Sequence, residues 1–201
     1  MSDISVIKSV MIAGVGGQGT VLASKILSLT MMKAGYDVKQ SEIHGMSQRG
    51  GSVVTHVRFG KSVYSPLVAA GAADYIVSFE ELEALRLLPF LKKTGLMIVN
   101  TQRMLPMPVI TGAASYPDDP VGEMKSQGAK VIAVDASGIG LEKGDARAAN
   151  LVLLGVLSQA LDCSEEAWLE AMRESIRPQF FAMNQEAFYA GMKVAKEHIK
   201  D

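Results

Sequence analysis

The chain has 201 residues, of which 48% are hydrophobic and 20% are charged, and its formal net charge is −1. This composition is typical of a folded globular protein, and it excludes a disordered chain and a broadly basic nucleic-acid-binding protein. No apolar run approaches the roughly 18 residues that cross a bilayer, so we expect no membrane partner.

The first predicted elements are a strand and a helix joined by glycines. The start, MSDISVIKSV, lacks the basic and apolar regions of a secretory signal, so we expect no such signal, and the single cysteine favours a cytoplasmic protein. The run VMIA predicts a buried strand, and residues 20–34 predict a helix. Between them lies GVGGQG, which fits the G-x-G-x-x-G pattern and can bring the backbone close to an anion at the helix start. The predicted anion-accepting loop is Gly14, Gly16, Gly17, Gln18, Gly19 and Thr20.

Three interpretations of this loop remain open at this point. A dinucleotide site needs an acid at the end of the second strand, about 20 residues further on, and Glu42 is near that position. The loop could instead bind another anion, or turn the chain without binding any ligand. A P-loop is excluded, because no lysine ends the glycine run.

A second glycine-containing segment follows the strand YDVKQSE. The stretch SEIHGMSQRGGSVVTHVRFG places Arg49 beside Gly50 and Gly51, at the strand's carboxyl end. An arginine there can bind a carboxylate or phosphate bidentately while the backbone lies close; the alternative is a glycine bulge with Arg49 paired to Glu42. The candidate residues of this segment are Glu42, His44, Gln48, Arg49, Gly50, Gly51 and Ser52. The strand SVVTHVRFG alternates in polarity, so we expect one exposed face carrying His56.

The later elements complete an α/β pattern. The runs ADYIVSF, LMIVN and KVIAVDA predict strands, and residues 80–93 predict a helix, so the sequence predicts a mostly parallel, doubly wound sheet. Residues 104–120 form a proline-rich excursion that is a candidate partner contact. Asp135 ends a strand at the functional edge, where it could mark a ligand site or cap a turn. Asp145 and Ser164 are predicted helix caps in a C-terminal helical part over about 145–201.

The lone cysteine limits which cofactors this chain can hold. Cys163 cannot form an internal disulfide, a cysteine-rich zinc site or a cluster with four thiolate ligands. We therefore expect no metal or iron–sulfur cluster held by this chain alone.

Several motifs in matching order resemble one family. GVGGQGTVLASKIL, SEIHGMSQRGGSVVTHVRFG, VYSPLVAAGAADYIVSFEELEALR, MIVN and NQEAFYAG are similar to the gamma-type subunit or domain of the 2-oxoacid:ferredoxin oxidoreductases. The wording HGMSQRGGS is most similar to the beta subunit of indolepyruvate ferredoxin oxidoreductase. The resemblance covers nearly all of residues 1–201, which it implies are a single gamma-type domain with a Rossmann-like fold.

The resemblance also implies a function. Such a complex decarboxylates an arylpyruvate oxidatively with coenzyme A, and produces an aryl-acetyl-CoA, CO2 and reduced ferredoxin. Thiamine diphosphate and iron–sulfur clusters belong to the partner subunit, and ferredoxin binds to the assembled complex. The glycine loop would accept part of coenzyme A or a loop of the partner, and the second segment would face the catalytic subunit without a covalent or proton-transfer role. A stand-alone NAD(P)-binding dehydrogenase and a non-ligand-binding interaction module are the alternatives.

Overall fold

One mixed β-sheet organises the chain. The computed structural model describes residues 6–44 and 51–198. The strands in the described part are β1 (Lys8–Val15), β2 (Asp37–His44), β3 (Ser52–Gly60), β4 (Ala73–Ser78), β5 (Leu91–Asn100) and β6 (Lys130–Val134). Their order across the sheet is β2-β3-β1-β4-β5-β6. β3 runs antiparallel to β1 and β2, and the other pairs are parallel, so five strands share one direction.

Helices cover both faces of this sheet. They are α1 (Thr20–Lys33), α2 (Glu81–Leu87), α3 (Met107–Ile110), α4 (Pro120–Ser126), α5 (Ala136–Glu142), α6 (Ala149–Ser158), α7 (Glu165–Ser175) and α8 (Pro178–His198). One buried cluster joins the sheet to α1, α6, α7 and α8, and the other joins it to α2 and α4. The run VMIA is fully buried because β1 lies between these two layers. The mostly parallel, doubly wound prediction is confirmed. None of the helices described is both long and apolar enough to cross a membrane.

The C-terminal helices pack with their backbones in contact. A Cβ atom at Gly155 in α6 would lie 2.0 Å from the carbonyl oxygen of Phe188, and one at Gly191 in α8 would lie 2.0 Å from that of Val152. Only glycine permits this approach, since a side chain at either position would collide with main chain. The predicted caps are present: Asp145 accepts from the Arg147 amide, and Ser164 accepts from the Ala167 amide.

Two local expectations were wrong. The helix predicted over 80–93 ends at Leu87, and a 3₁₀ turn over Leu88–Phe90 leads directly into β5. Pro89 explains this, because it has no N–H to continue the α-helical bonding. His56 was expected at the surface, yet it is buried, and its Nδ1 atom accepts a hydrogen bond from the Val68 amide at 3.0 Å. The segment after β3 folds back over that strand and covers the histidine.

Candidate functional site at the carboxyl edge of the sheet

The first glycine loop joins β1 to α1 in a conformation that requires glycine. Gly17 and Gly19 have φ angles of 103° and 88°, in the left-handed region that other residues rarely adopt. Gly19 is the N-cap residue of α1, and as a glycine it has no side chain to cap the helix. A Cβ atom at Gly17 would meet nothing within 4 Å, whereas one at Gly19 would lie 2.9 Å from the Asn150 amide nitrogen. The loop therefore presents backbone outward at Gly17 and packs tightly at Gly19.

The Gln18 side chain holds this loop in place by hydrogen bonds. Its Oε1 atom accepts a hydrogen bond from the Val15 amide at 2.6 Å, and its Nε2 atom donates to the carbonyl of Phe79 at 3.1 Å and to Oε1 of Gln102 at 2.9 Å. A Cβ atom at Gly14 would lie 2.8 Å from Gln18 Oε1, so Gly14 leaves room for this side chain. Gly14 and Gln18 thus stabilise the conformation of the glycine loop from its inner side.

The second glycine segment lies directly beside the first. The Gly16 amide donates to the Gly51 carbonyl at 2.9 Å, and Ser52 is paired with Val15 in the sheet. Ser52 Oγ also donates to Glu83 Oε2 at 2.5 Å, which ties the start of β3 to α2. The structure therefore brings the two predicted segments together at one edge of the sheet.

The remaining residues of this segment are described in part. Glu42 lies near the end of β2 with an exposed carboxylate, which accepts a hydrogen bond from Gln40 Nε2 at 2.9 Å. The backbone of His44 pairs with Val53 at the end of β2. Gln48, Arg49 and Gly50 lie outside the described residues.

An open cleft of about 670 Å³ lies against both segments. Gly16, Gly17, Gly19 and Thr20 line it on the loop side, and Glu42 and Val53 line it from the sheet. Lys25 of α1 and Ser175 of α7 also border it. The cleft thus combines a helix start whose N-cap residue is a glycine and a lysine with one carboxylate, an arrangement that can accept an anion near the glycines. The described residues contain no group of three or more His, Cys, Asp or Glu side chains that could hold a metal ion.

Asn100 organises the same edge and was not singled out from the sequence. This residue is 1% exposed at the end of β5, and its Nδ2 atom donates to the Phe79 carbonyl at 3.1 Å and to Ser137 Oγ at 3.0 Å. Its Oδ1 atom accepts from the Ala136 amide at 3.0 Å. Together with Gln18 and Gln102, Asn100 links the ends of β1, β4, β5 and β6 by hydrogen bonds. A polar residue directly after the buried run LMIV is the sequence signal that could have identified it.

Three buried glutamates lie at the start of α2. Glu80, Glu81 and Glu83 are 1%, 5% and 5% exposed. Glu80 caps α2 by accepting from the Glu83 amide at 2.9 Å, and its other oxygen accepts from the Tyr116 hydroxyl at 2.5 Å. Burial, and then this carboxylate, raise the pKa of the Tyr116 hydroxyl, so it remains a donor. These carboxylates stabilise the edge by binding neighbouring segments.

Asp135 and Cys163 have local roles in the structure. Asp135 caps α5 by accepting from the Gly138 amide at 2.8 Å, so of the two roles expected for it, ligand binding and capping, the structure shows capping. Cys163 is half-buried, and burial raises the pKa of its thiol, which disfavours the reactive thiolate.

The sheet order bears on the dinucleotide interpretation. In dinucleotide-binding sheets the second strand adjoins the first, and its terminal acid reaches the ribose. Here β3 separates β2 from β1, which moves the strand of Glu42 to roughly 10 Å from β1, two strand spacings away. This order does not reproduce the dinucleotide-binding arrangement.

Comparison with known proteins gives consistent results. Residues 9–194 match the family model described as pyruvate ferredoxin/flavodoxin oxidoreductase. The indolepyruvate oxidoreductase subunit IorB of Thermococcus kodakarensis is 43% identical over 198 residues, covering 95% of this chain and 97% of the relative. IorB of Archaeoglobus fulgidus is 39% identical over 191 residues, covering 93% and 94%. The crystal structure of the pyruvate oxidoreductase subunit PORC from Thermotoga maritima superposes with a TM-score of 0.73 at 21% identity, covering 93% of this chain and 96% of that one. This last match confirms the fold class.

Proposed function

Because the chain belongs to the pyruvate ferredoxin/flavodoxin oxidoreductase family, as its motifs predicted, we propose that it is the non-cofactor subunit of an indolepyruvate:ferredoxin oxidoreductase. The complex decarboxylates an arylpyruvate and transfers the resulting aryl-acetyl group to coenzyme A, while ferredoxin takes up the electrons. Thiamine diphosphate and the iron–sulfur clusters reside in the catalytic partner subunit. We propose a cytoplasmic location and a single functional domain over residues 1–201.

The observation that carries this proposal is the contact between the two glycine segments. The 2.9 Å hydrogen bond from Gly16 to Gly51 makes one continuous rim, with the cleft beside it. A rim with few side chains lets another chain or an extended ligand approach the backbone closely. We propose that Glu42, His44, Gly51 and Ser52 of this rim face the catalytic subunit, and that Gln48, Arg49 and Gly50, which lie outside the described residues, contribute to the same interface.

The glycine loop accepts an anion in this proposal. Gly14, Gly16, Gly17, Gln18, Gly19 and Thr20 shape the loop, and the amides at the start of α1 together with Lys25 attract negative charge. The anion is part of coenzyme A or an acidic loop of the partner. The Glu42 carboxylate, at the sheet side of the same cleft, disfavours an anion there and so directs it toward α1.

Reconstitution with the catalytic partner tests this function. The purified chain is expected to be inactive, and indolepyruvate-dependent ferredoxin reduction should appear when the thiamine- and cluster-bearing subunit is added. The combined variant Arg49→Ala and Gly51→Val should lose most of this activity, while the control Lys61→Ala, at an exposed residue beyond the rim, should retain it. Normal turnover by the combined variant would contradict the assignment of the rim. Micromolar binding of NADH to the chain alone would favour a dehydrogenase.

A further inference from the structure

Residues 101–119 include most of the proline-rich segment noted in the sequence, and they form an excursion from the sheet. Both ends of this excursion are fixed to one buried carboxylate. Glu80 Oε1 accepts hydrogen bonds from the Met104 amide at 3.1 Å and from the Tyr116 hydroxyl at 2.5 Å. Because Glu80 is 1% exposed and also caps α2, this anchor belongs to the rigid part of the molecule. The excursion is therefore held at its base.

A second carboxylate reinforces the base of the excursion. Arg103 Nε donates to Glu81 Oε2 at 2.7 Å, and its Nη2 atom donates to the Asp118 carbonyl at 2.8 Å. The same guanidinium lies 5.5 Å from the centre of the Tyr116 ring. Arg103 thus links both ends of the excursion to α2, and its charge is already paired.

The anchored excursion presents apolar side chains to solvent. Met104, Leu105, Met107 and Ile110, together called the Met107 patch, are 36%, 54%, 66% and 61% exposed. Met107 and Ile110 lie three residues apart in α3 and so share one face of that helical turn. Apolar groups gathered on a fixed segment are typical of a protein interface, because little conformational entropy is lost when a partner covers them.

The position of the patch indicates which protein covers it. Gln102 begins the excursion, and its Oε1 atom accepts the 2.9 Å hydrogen bond from Gln18 of the glycine loop. The base of the excursion therefore contacts the glycine loop of the rim that faces the catalytic subunit in the proposed function, and the Met107 patch begins at Met104, two residues further along the chain. We propose that this patch is a second docking surface for that subunit, and that it binds an apolar, uncharged area beside the active-site entrance. This inference rests on the proposed function.

The experiment compares the affinity of the full-length chain variants for the catalytic subunit. Met107→Glu and Ile110→Glu each place a charge in the patch, and we expect the dissociation constant to rise about 10- to 100-fold. Met32→Glu is the matched control: Met32 is 58% exposed near the end of α1, which lies at the opposite end of the helix from the glycine loop. The control should bind like wild type, and all three variants should unfold at the wild-type temperature, since the substituted side chains are exposed.

The possible outcomes separate this inference from the function on which it rests. Wild-type chain that binds no thiamine- and cluster-bearing subunit would refute the proposed function. If wild type binds and both patch variants bind equally well, the docking surface is refuted while the function stands. Sedimentation of the isolated chain distinguishes another occupant: a dimer that Met107→Glu dissociates would assign the patch to a second copy and overturn our assignment. Partial recovery of activity by the variants at high partner concentration supports a docking role.

Discussion

Replacing Gly19 with alanine should destabilise the protein in two separable ways. The first cost is conformational, since a φ angle of 88° with ψ of 21° costs an L-residue about 1 to 2 kcal/mol. The second is steric, because the new methyl group would lie 2.9 Å from the Asn150 side-chain nitrogen. Asn150 is 4% exposed and has little room to move, so overpacking adds about 1 to 3 kcal/mol. We expect a total loss of about 2 to 5 kcal/mol.

Two comparisons isolate these costs. Gly17→Ala also places alanine at a positive φ angle, 103°, but its methyl group would meet nothing within 4 Å, so this variant pays the conformational cost without the collision. A double-mutant cycle with Asn150→Ala measures the collision itself, because the shortened residue leaves space for the methyl group. The coupling should be favourable by about 1 to 3 kcal/mol.

The assay is equilibrium unfolding of the purified chain in urea, with wild type, the single variants and the double variant side by side. Equal losses for Gly17→Ala and Gly19→Ala, together with no coupling to Asn150→Ala, would refute the claim that Asn150 of α6 packs tightly against the glycine loop at Gly19. That result would also remove the structural reason for the tight position at Gly19.

Three further predictions follow from particular contacts. Gln18→Ala leaves the buried Val15 amide without its partner, and urea unfolding should show a loss of about 1 to 3 kcal/mol; Gln18→Glu should not restore this stability, because its second oxygen cannot donate to the Phe79 carbonyl or to Gln102 Oε1. Burial lowers the pKa of His56, so the folded state disfavours its protonation; the stability difference between wild type and His56→Gln should therefore be largest above about pH 6.5 and shrink as pH falls below it, and a pH-independent difference would contradict this. Gly191→Ala places a methyl group 2.0 Å from the Val152 carbonyl and should cost about 3 kcal/mol or more in thermal unfolding, while a near-neutral effect would show that α6 and α8 are not in backbone contact.

Local sequence patterns predicted the elements better than their arrangement. The strand, glycine loop and helix at residues 8–33 follow from an apolar run and from glycines that permit positive φ angles. The caps at Asp145 and Ser164 could be predicted because a side-chain oxygen just before a helical pattern can accept a hydrogen bond from a free backbone amide of the first turn. By contrast, periodicity does not encode strand order, so it could not show β3 between β1 and β2.

The same limit applies to burial and to the site. His56 alternates with apolar neighbours as an exposed residue would, but a segment that follows in the chain returns and covers it. The sequence placed the second glycine segment at the carboxyl end of a strand, but its contact with the first through the Gly16–Gly51 hydrogen bond depends on β3 returning antiparallel beside β1. The supporting residues Asn100, Gln102 and Glu83 depend on contacts between distant segments, which no local pattern specifies.

The central claim is that this chain completes a catalytic centre carried by another subunit. Indolepyruvate-dependent ferredoxin reduction, measured for the chain alone, for the thiamine- and cluster-bearing subunit alone and for their mixture, tests it most directly. We predict substantial turnover only in the mixture, with a rate that saturates as this chain is added. Full activity of the catalytic subunit without this chain, or no stimulation at any ratio, would contradict the account.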